Sequence, residues 1–142
     1  MYVIVFPYLY TMNYRTHTEC KPLVMPMYYT HPECRCAYDV KNQYWFGDQM
    51  IVAPITEKNN AGSQMGRVRA WLPQGIWIDF FTGRVYDGFK GRMLDLYRND
   101  YSIPVLCKAG AIVPMQAHVA HDNRLGGAEK LEIPEGLAVY RV

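Results

Sequence analysis

The opening run MYVIVFPYLYTM, residues 1–12, sets the hardest condition on any fold this chain can adopt. Its apolar and aromatic positions (Tyr2, Ile4, Val5, Phe6, Leu9 and Met12, with Tyr8, Tyr10 and Tyr14) are too dense for a helix with one wet face. Polar Arg15, His17 and Glu19 arrive only toward its end. The run is shorter than the roughly 20 apolar residues that cross a bilayer, and it lacks the basic flank of a signal peptide. The spacing therefore predicts a helix over about residues 2–19 that is covered on most sides. Pro7 either kinks it or occupies its first turn, because the ring removes a backbone donor and disfavours helical geometry at Phe6.

Lys21-Pro22 ends that helix. Leu23 to Tyr29 reads as a short extended run that Pro26 confines to an edge or a crossing, since proline cannot donate to a central ladder. His31 to Asn42 is polar and reads as a loop, and a domain boundary is expected near residue 40. Beyond it the pattern becomes short strands: Gln43 to Phe46, a turn at Gly47, then Met50 to Ile55. Thr56 to Gly66 has no periodicity and is expected to be a mobile loop. Arg67 to Leu72 alternates, with Val68, Ala70 and Leu72 on one face. Pro73-Gln74-Gly75 has turn chemistry, so Ile76 to Phe81 is expected to return as the second strand of a hairpin. Thr82-Gly83-Arg84 turns again into Val85-Tyr86, and Ile103 to Leu106 should pair with Ala111 to Val113. Gln116 to Gly127 is polar and irregular, and Leu131 to Ile133 and Leu137 to Arg141 are read as two last strands, so the chain is expected to stop inside a further unit.

With 142 residues the chain is one domain's worth, short of the roughly 250 of a complete TIM barrel. Half the residues are hydrophobic and 20% are charged, with 12 Tyr, 5 Phe and 3 Trp to fill a core, which excludes a disordered tail. The net charge of +2 is spread without blocks, so neither nucleic acid nor a membrane is expected as a partner. Four unevenly spaced cysteines (Cys20, Cys34, Cys36, Cys107) make no secreted disulfide framework, and a reducing cytoplasm is the expected setting.

Three constellations bear on chemistry. His17, Cys20, His31, Cys34 and Cys36 supply nitrogen and sulfur donors suited to tetrahedral zinc, but their spacing fits no standard finger or ribbon, and buried cysteines are common without any metal. Trp71, Trp77, Phe80, Phe81 and Tyr86 fall on adjacent predicted strands, where they either stack on sugar rings or fill a sandwich core. The core reading is preferred. Carboxylates such as Asp79, Asp87, Asp95 and Glu132 lie in or beside strands and turns, where a solvated face or an Asx turn accounts for them. No Gly-x-Ser-x-Gly elbow, P-loop or dinucleotide fingerprint occurs. No catalytic, metal or cofactor-binding residue is therefore assigned, and no cofactor is expected.

Several strings in order carry more information than composition does. They are Pro7-Tyr8-Leu9-Tyr10-Thr11, Pro26-Met27-Tyr28-Tyr29, Asn42-Gln43-Tyr44-Trp45-Phe46-Gly47 and Val52-Ala53-Pro54-Ile55. They continue with Trp71 to Gly83 (WLPQGIWIDFFTG) and Ile103 to Pro114 (IPVLCKAGAIVP). Together they resemble the C-terminal part of glycoside hydrolase family 31, the alpha-glucosidase and alpha-xylosidase family, in register over about residues 5–115.

The resemblance implies a mostly β fold. Residues 1–40 would be the end of a TIM (β/α)8 barrel, with the first helix as its last helix. Residues 41–115 would be the proximal C-terminal β-sandwich, and 116–142 the truncated start of a distal β domain. The implied partner is the remainder of the parent barrel, acting on a carbohydrate. In the retaining scheme that the family resembles, one carboxylate attacks the anomeric carbon and another protonates the leaving oxygen, about 5 to 5.5 Å apart. The family's two Asp motifs, of Trp-x-Asp-Met-Asn-Glu and Gly-Asp-Asn type, are absent from this sequence. The chain itself is thus expected to be structural and inactive, with a free-standing β-sandwich carbohydrate-binding module as the alternative. Two departures stand out: Met25 where many members have Arg, and Asp87-Gly88-Phe89-Lys90-Gly91-Arg92 in place of a simpler Gly-Gly turn.

Overall fold

The expected first helix forms as α1, Phe6–Glu19, with Pro7 in its first turn, where a missing N–H leaves no intrahelical bond unmade. Thr11, Thr16 and Thr18 return their hydroxyls to the carbonyls of Pro7, Met12 and Tyr14, which keeps these side chains folded against the helix. Cys20 closes α1 in the left-handed region (φ 55°). The computed structural model describes residues 5–115 and 136–139; Leu131 to Ile133, expected as a strand, lie outside them.

After α1 come β1 (Val24–Pro26), a 3₁₀ turn (Met27–Tyr29), α2 (Arg35–Asp39), β2 (Tyr44–Phe46), β3 (Met50–Val52), β4 (Gly66–Leu72) and β5 (Ile76–Asp79). They are followed by β6 (Val85–Asp87), β7 (Arg92–Arg98), β8 (Val105–Lys108), β9 (Ile112–Met115) and β10 (Gly136–Val139). The fold is mostly β. Six strands form one antiparallel sheet in the order β1-β2-β3-β8-β5-β6, while β4 pairs with β7 and β9 with β10.

Because strand side chains alternate, the central sheet buries both faces. Trp45, Ile51, Trp77 and Leu106 point into one cluster, which is closed by Ala70, Trp71, Leu72 and Leu96 from the β4-β7 pair and by Met27, Ala37 and Val40. Their immediate neighbours Met50, Val52, Val105 and Cys107 point into the other, closed by Tyr8 and Met12 of α1 together with Ala111 and Val113. Burial of each large side chain favours folding by about 1.5–3 kcal/mol.

Four expectations are corrected. The turn at Pro73-Gln74-Gly75 does not close a β4-β5 hairpin: β4 pairs with β7, and β5 lies between β6 and β8 in the other sheet. The turn carries the chain from one layer to the other. Likewise β8 pairs with β3 and β5 and not with β9. The segment expected to be a polar loop contains α2, and part of the expected extended run is the 3₁₀ turn Met27–Tyr29. In addition, β1 is an edge strand paired with β2 (Val24 opposite Phe46), so a cut at residue 40 would divide a ladder.

Candidate functional site

The region with the most specific geometry is the seat of α1 on the sheet. Tyr8 is 1% exposed, and its hydroxyl donates to the Phe46 carbonyl at 2.9 Å. Burial pushes the Tyr8 phenol well above its ordinary value, so it stays a donor at any ordinary pH. The phenol and the Met12 thioether fit closely over Gly47, where an added Cβ would overlap the Tyr8 hydroxyl and come 2.8 Å from Met12 Sδ. Gly47 also holds φ at +67°, a conformation that glycine adopts without steric cost.

One helical turn further along, Arg15 donates to Asp48 Oδ2 at 2.6 Å and pairs with Glu19. Partial burial alone would raise the Asp48 carboxyl, but hydrogen bonds from Arg15 and Gln49 and the Arg15 charge hold it below the usual carboxylate range. The same helix leaves Phe6, Tyr10 and Tyr14 45%, 57% and 62% exposed. At spacings of four residues these rings form one stripe on the side away from the sheet.

The proposed zinc donors are not brought together, and among the described residues no three His, Cys, Asp or Glu side chains could hold a metal ion. His17 and Cys20 are exposed at the end of α1. His31 is instead an aromatic neighbour, its ring nearly parallel to that of Trp45 (6.3 Å between centroids) and edge-on to Trp71 (5.1 Å). Burial and the nearby Lys108 charge lower its pKa. Cys34 and Cys36 lie half-buried at α2, and burial, reinforced by Cys34, pushes the Cys36 thiol up.

Nor do the tryptophans form a platform. Trp71 and Trp77 are 3% and 1% exposed, and Trp77 Nε1 donates to the Pro73 carbonyl at 2.9 Å. Phe81 is exposed beside Phe80, whereas Tyr86 packs partly buried against the tryptophan cluster.

Asp79 is wholly buried. One of its carboxylate oxygens accepts from the Phe81 and Thr82 amides, the expected Asx turn, and the other pairs with Arg98 of β7. Asp87 makes a similar turn by accepting from the Phe89 amide at 2.8 Å. Sequence reasoning missed Arg98 and also Gln43, whose side-chain amide pairs with both backbone groups of Trp71 (2.6 and 2.8 Å) and so acts as an extra strand residue beside β4. A polar residue immediately before the aromatic run Tyr44-Trp45-Phe46 is the available signal for Gln43.

The arrangement is that of a mostly β domain with a helix seated on one face of its sheet. Residues 20–113 match the glycosyl hydrolase family 31 C-terminal domain, and the chain belongs to that family. It is 30% identical over 115 residues to a probable alpha/beta-glucosidase of Arthroderma benhamiae, covering 80% of this chain and 13% of that protein. An uncharacterized Listeria monocytogenes protein superposes over 98% of this chain and 13% of its own, with a TM-score of 0.75 and 32% identity. A family 31 dextranase of Flavobacterium johnsoniae does so over 80% and 13%, with a TM-score of 0.68 and 29% identity. The chain therefore spans about an eighth of the length of these relatives.

Proposed function

We propose that this chain is the non-catalytic C-terminal part of a longer retaining alpha-glycosidase, in which α1 is the last helix of the catalytic barrel and the β domain holds that helix in place. Residues 41–115, joined at the sheet edge by β1, are the proximal sandwich, and 116–142 lead into a distal domain. The barrel supplies both carboxylates, and the chain alone turns over no glycoside. A reducing, cytoplasmic setting belongs to the same reading, supported by cysteine spacing that fits no disulfide framework.

The observation that carries the reading is the two-sidedness of α1. Tyr8 and Met12 are fitted into the sheet over Gly47, while Phe6, Tyr10 and Tyr14 present an aromatic stripe on the opposite side. A helix at the rim of a barrel needs both contacts, one to each domain.

The test combines an assay of the purified chain on aryl alpha-glucosides and alpha-xylosides with sequencing of the coding DNA upstream of Met1. The expected results are no turnover, together with barrel strands and the two Asp motifs upstream. Turnover by the chain alone, or an upstream region without those motifs, overturns the proposal. A saturable change in tryptophan fluorescence with maltose or xyloglucan oligosaccharides would favour the binding module; the burial of Trp71 and Trp77 predicts none.

A further inference from the structure

We propose that the free edge of β4 is a docking site for an extended acidic segment of a separate polypeptide, which adds to the β4-β7 pair as an antiparallel third strand. In an antiparallel ladder the N–H and C=O of one residue point to the same side, and successive residues alternate. The Trp71 amide donates to Gln43 Oε1 at 2.8 Å and its carbonyl accepts from Gln43 Nε2 at 2.6 Å, so Trp71 faces away from β7. The register runs unbroken from Gly66 opposite Arg98 to Leu72 opposite Arg92, and Arg69 and Arg67 therefore turn their backbone groups to the same side as Trp71. Those groups have no hydrogen-bond partner among the described residues. The Gln43 amide thus supplies at Trp71 what a docked strand would supply at Arg69 and Arg67. The edge opens onto a cavity of about 270 Å³, with Arg67, Val68 and Arg69 on one side and residues 39–43, Thr56 and Glu57 on the other. That far wall is tied together by the Asn42 side-chain amide, which donates to Thr56 Oγ1 at 3.1 Å.

The register selects the occupant. A strand laid antiparallel along this edge exchanges both hydrogen bonds at its residues opposite Arg67 and Arg69, and its intervening residue faces Val68. Directly opposed Cβ atoms lie about 4.5–5.5 Å apart, so carboxylates at the two flanking positions come beside the arginine side chains. Both arginines are exposed. Val68 packs half-buried on the tryptophan cluster, and Val40 lines the same cavity, so the middle position takes an apolar side chain. Asp39 and Glu57 on the far wall, partly offset by Lys41, disfavour carboxylates elsewhere along the cleft. Charges on an edge strand deter pairing with a like edge, and the two arginines would meet one another across a pair of β4 strands. The outer edge of β7 is a poorer template, because its Tyr97 carbonyl already accepts from Arg98 Nη1 at 2.7 Å.

The isotope-labelled full chain should be titrated with the blocked peptide acetyl-Thr-Glu-Val-Glu-Thr-amide and followed by its amide chemical shifts. The expected result is a saturable shift at Arg67 and Arg69 and none at Asp95 of β7. Replacing both glutamates of the peptide by lysine should weaken binding by about tenfold. Methylation of the two peptide Glu amides, which face β4, should abolish binding, whereas methylation of the Val amide, which faces away, should leave it. Arg69→Pro removes an edge N–H without touching the ladder to β7, and should weaken binding about fivefold. An absent or non-saturating shift, equal binding of the lysine peptide, or tolerance of methylated Glu amides overturns the proposal. Concentration-dependent shifts of Arg67 and Arg69 without peptide would give the edge to a second copy of the chain and overturn it as well. The methylated peptides decide the matter on the unsubstituted chain even where Arg69→Pro does not fold.

Discussion

The two faces of the six-stranded sheet are buried in different ways. One is closed by a second β layer, a short helix and a 3₁₀ turn, and is reinforced by two polar clamps: Arg98 on buried Asp79, and the Gln43 amide on the Trp71 backbone. The other is closed chiefly by α1 and β9, and the outward side of α1 is itself aromatic. The first face makes the domain fold. The second leaves the outer side of α1 uncovered, which is the side the proposed function assigns to the barrel, because a helix that keeps Tyr10 and Tyr14 in water is only half satisfied by the sheet beneath it.

The largest expected effect lies on the self-contained face. Arg98→Ala leaves the Asp79 carboxylate buried without its cation, and urea unfolding should show a loss of about 3–5 kcal/mol. Gly47→Ala attacks the other face: the left-handed backbone alone costs about 1–2 kcal/mol, and the new methyl displaces Tyr8 and Met12. Circular dichroism should then lose helix signal while the near-ultraviolet tryptophan signal of the first face persists. Simultaneous loss of both signals would mean that the faces do not separate.

Tyr8→Phe keeps the ring and removes only the bond to the Phe46 carbonyl, so a loss of about 1 kcal/mol is expected. A much larger loss would shift weight in the seat of α1 from shape to that bond. The smallest effect concerns pH. The lowered His31 pKa means that the unfolded chain takes up a proton more readily than the folded one. The corresponding stability is complete above the ordinary value of 6.5 and is lost as the pH falls through the lowered value. His31→Gln should flatten the stability profile from about pH 7 to about pH 5, and an unchanged slope would assign it to carboxylates.

Individual strands were legible where alternation and turn chemistry agreed, as in β2, β3, β4 and β5. Pairing was not, because a turn at Pro73-Gln74-Gly75 shows that the chain reverses but not which sheet receives it. β7 was overlooked although Leu94 and Leu96 alternate with Asp95 and Tyr97, a pattern masked by the flanking Gly, Lys and Arg. Five-residue α2 has no side-chain cap and owes its existence to packing of Ala37 against the tryptophans, which no local signal announces. Aromatic density predicts a helix covered on most sides, whereas only Pro7, Tyr8 and Met12 of α1 are buried and Phe6, Tyr10 and Tyr14 stay exposed, and the Gly47 seat depends on a contact 39 residues away that only the fold creates. The same limit hid Arg98, whose partner is 19 residues distant.

Hydrogen exchange of the intact chain, read by mass spectrometry on peptides from α1 and from β3, β5 and β8, tests most directly whether the two faces differ. Amides of the central strands should exchange only through global unfolding, and those of α1 through local opening at distinctly lower free energy, because its outer face is uncovered. Protection of α1 equal to that of β8 would contradict the account, since the helix would then need no cover beyond the domain it already touches.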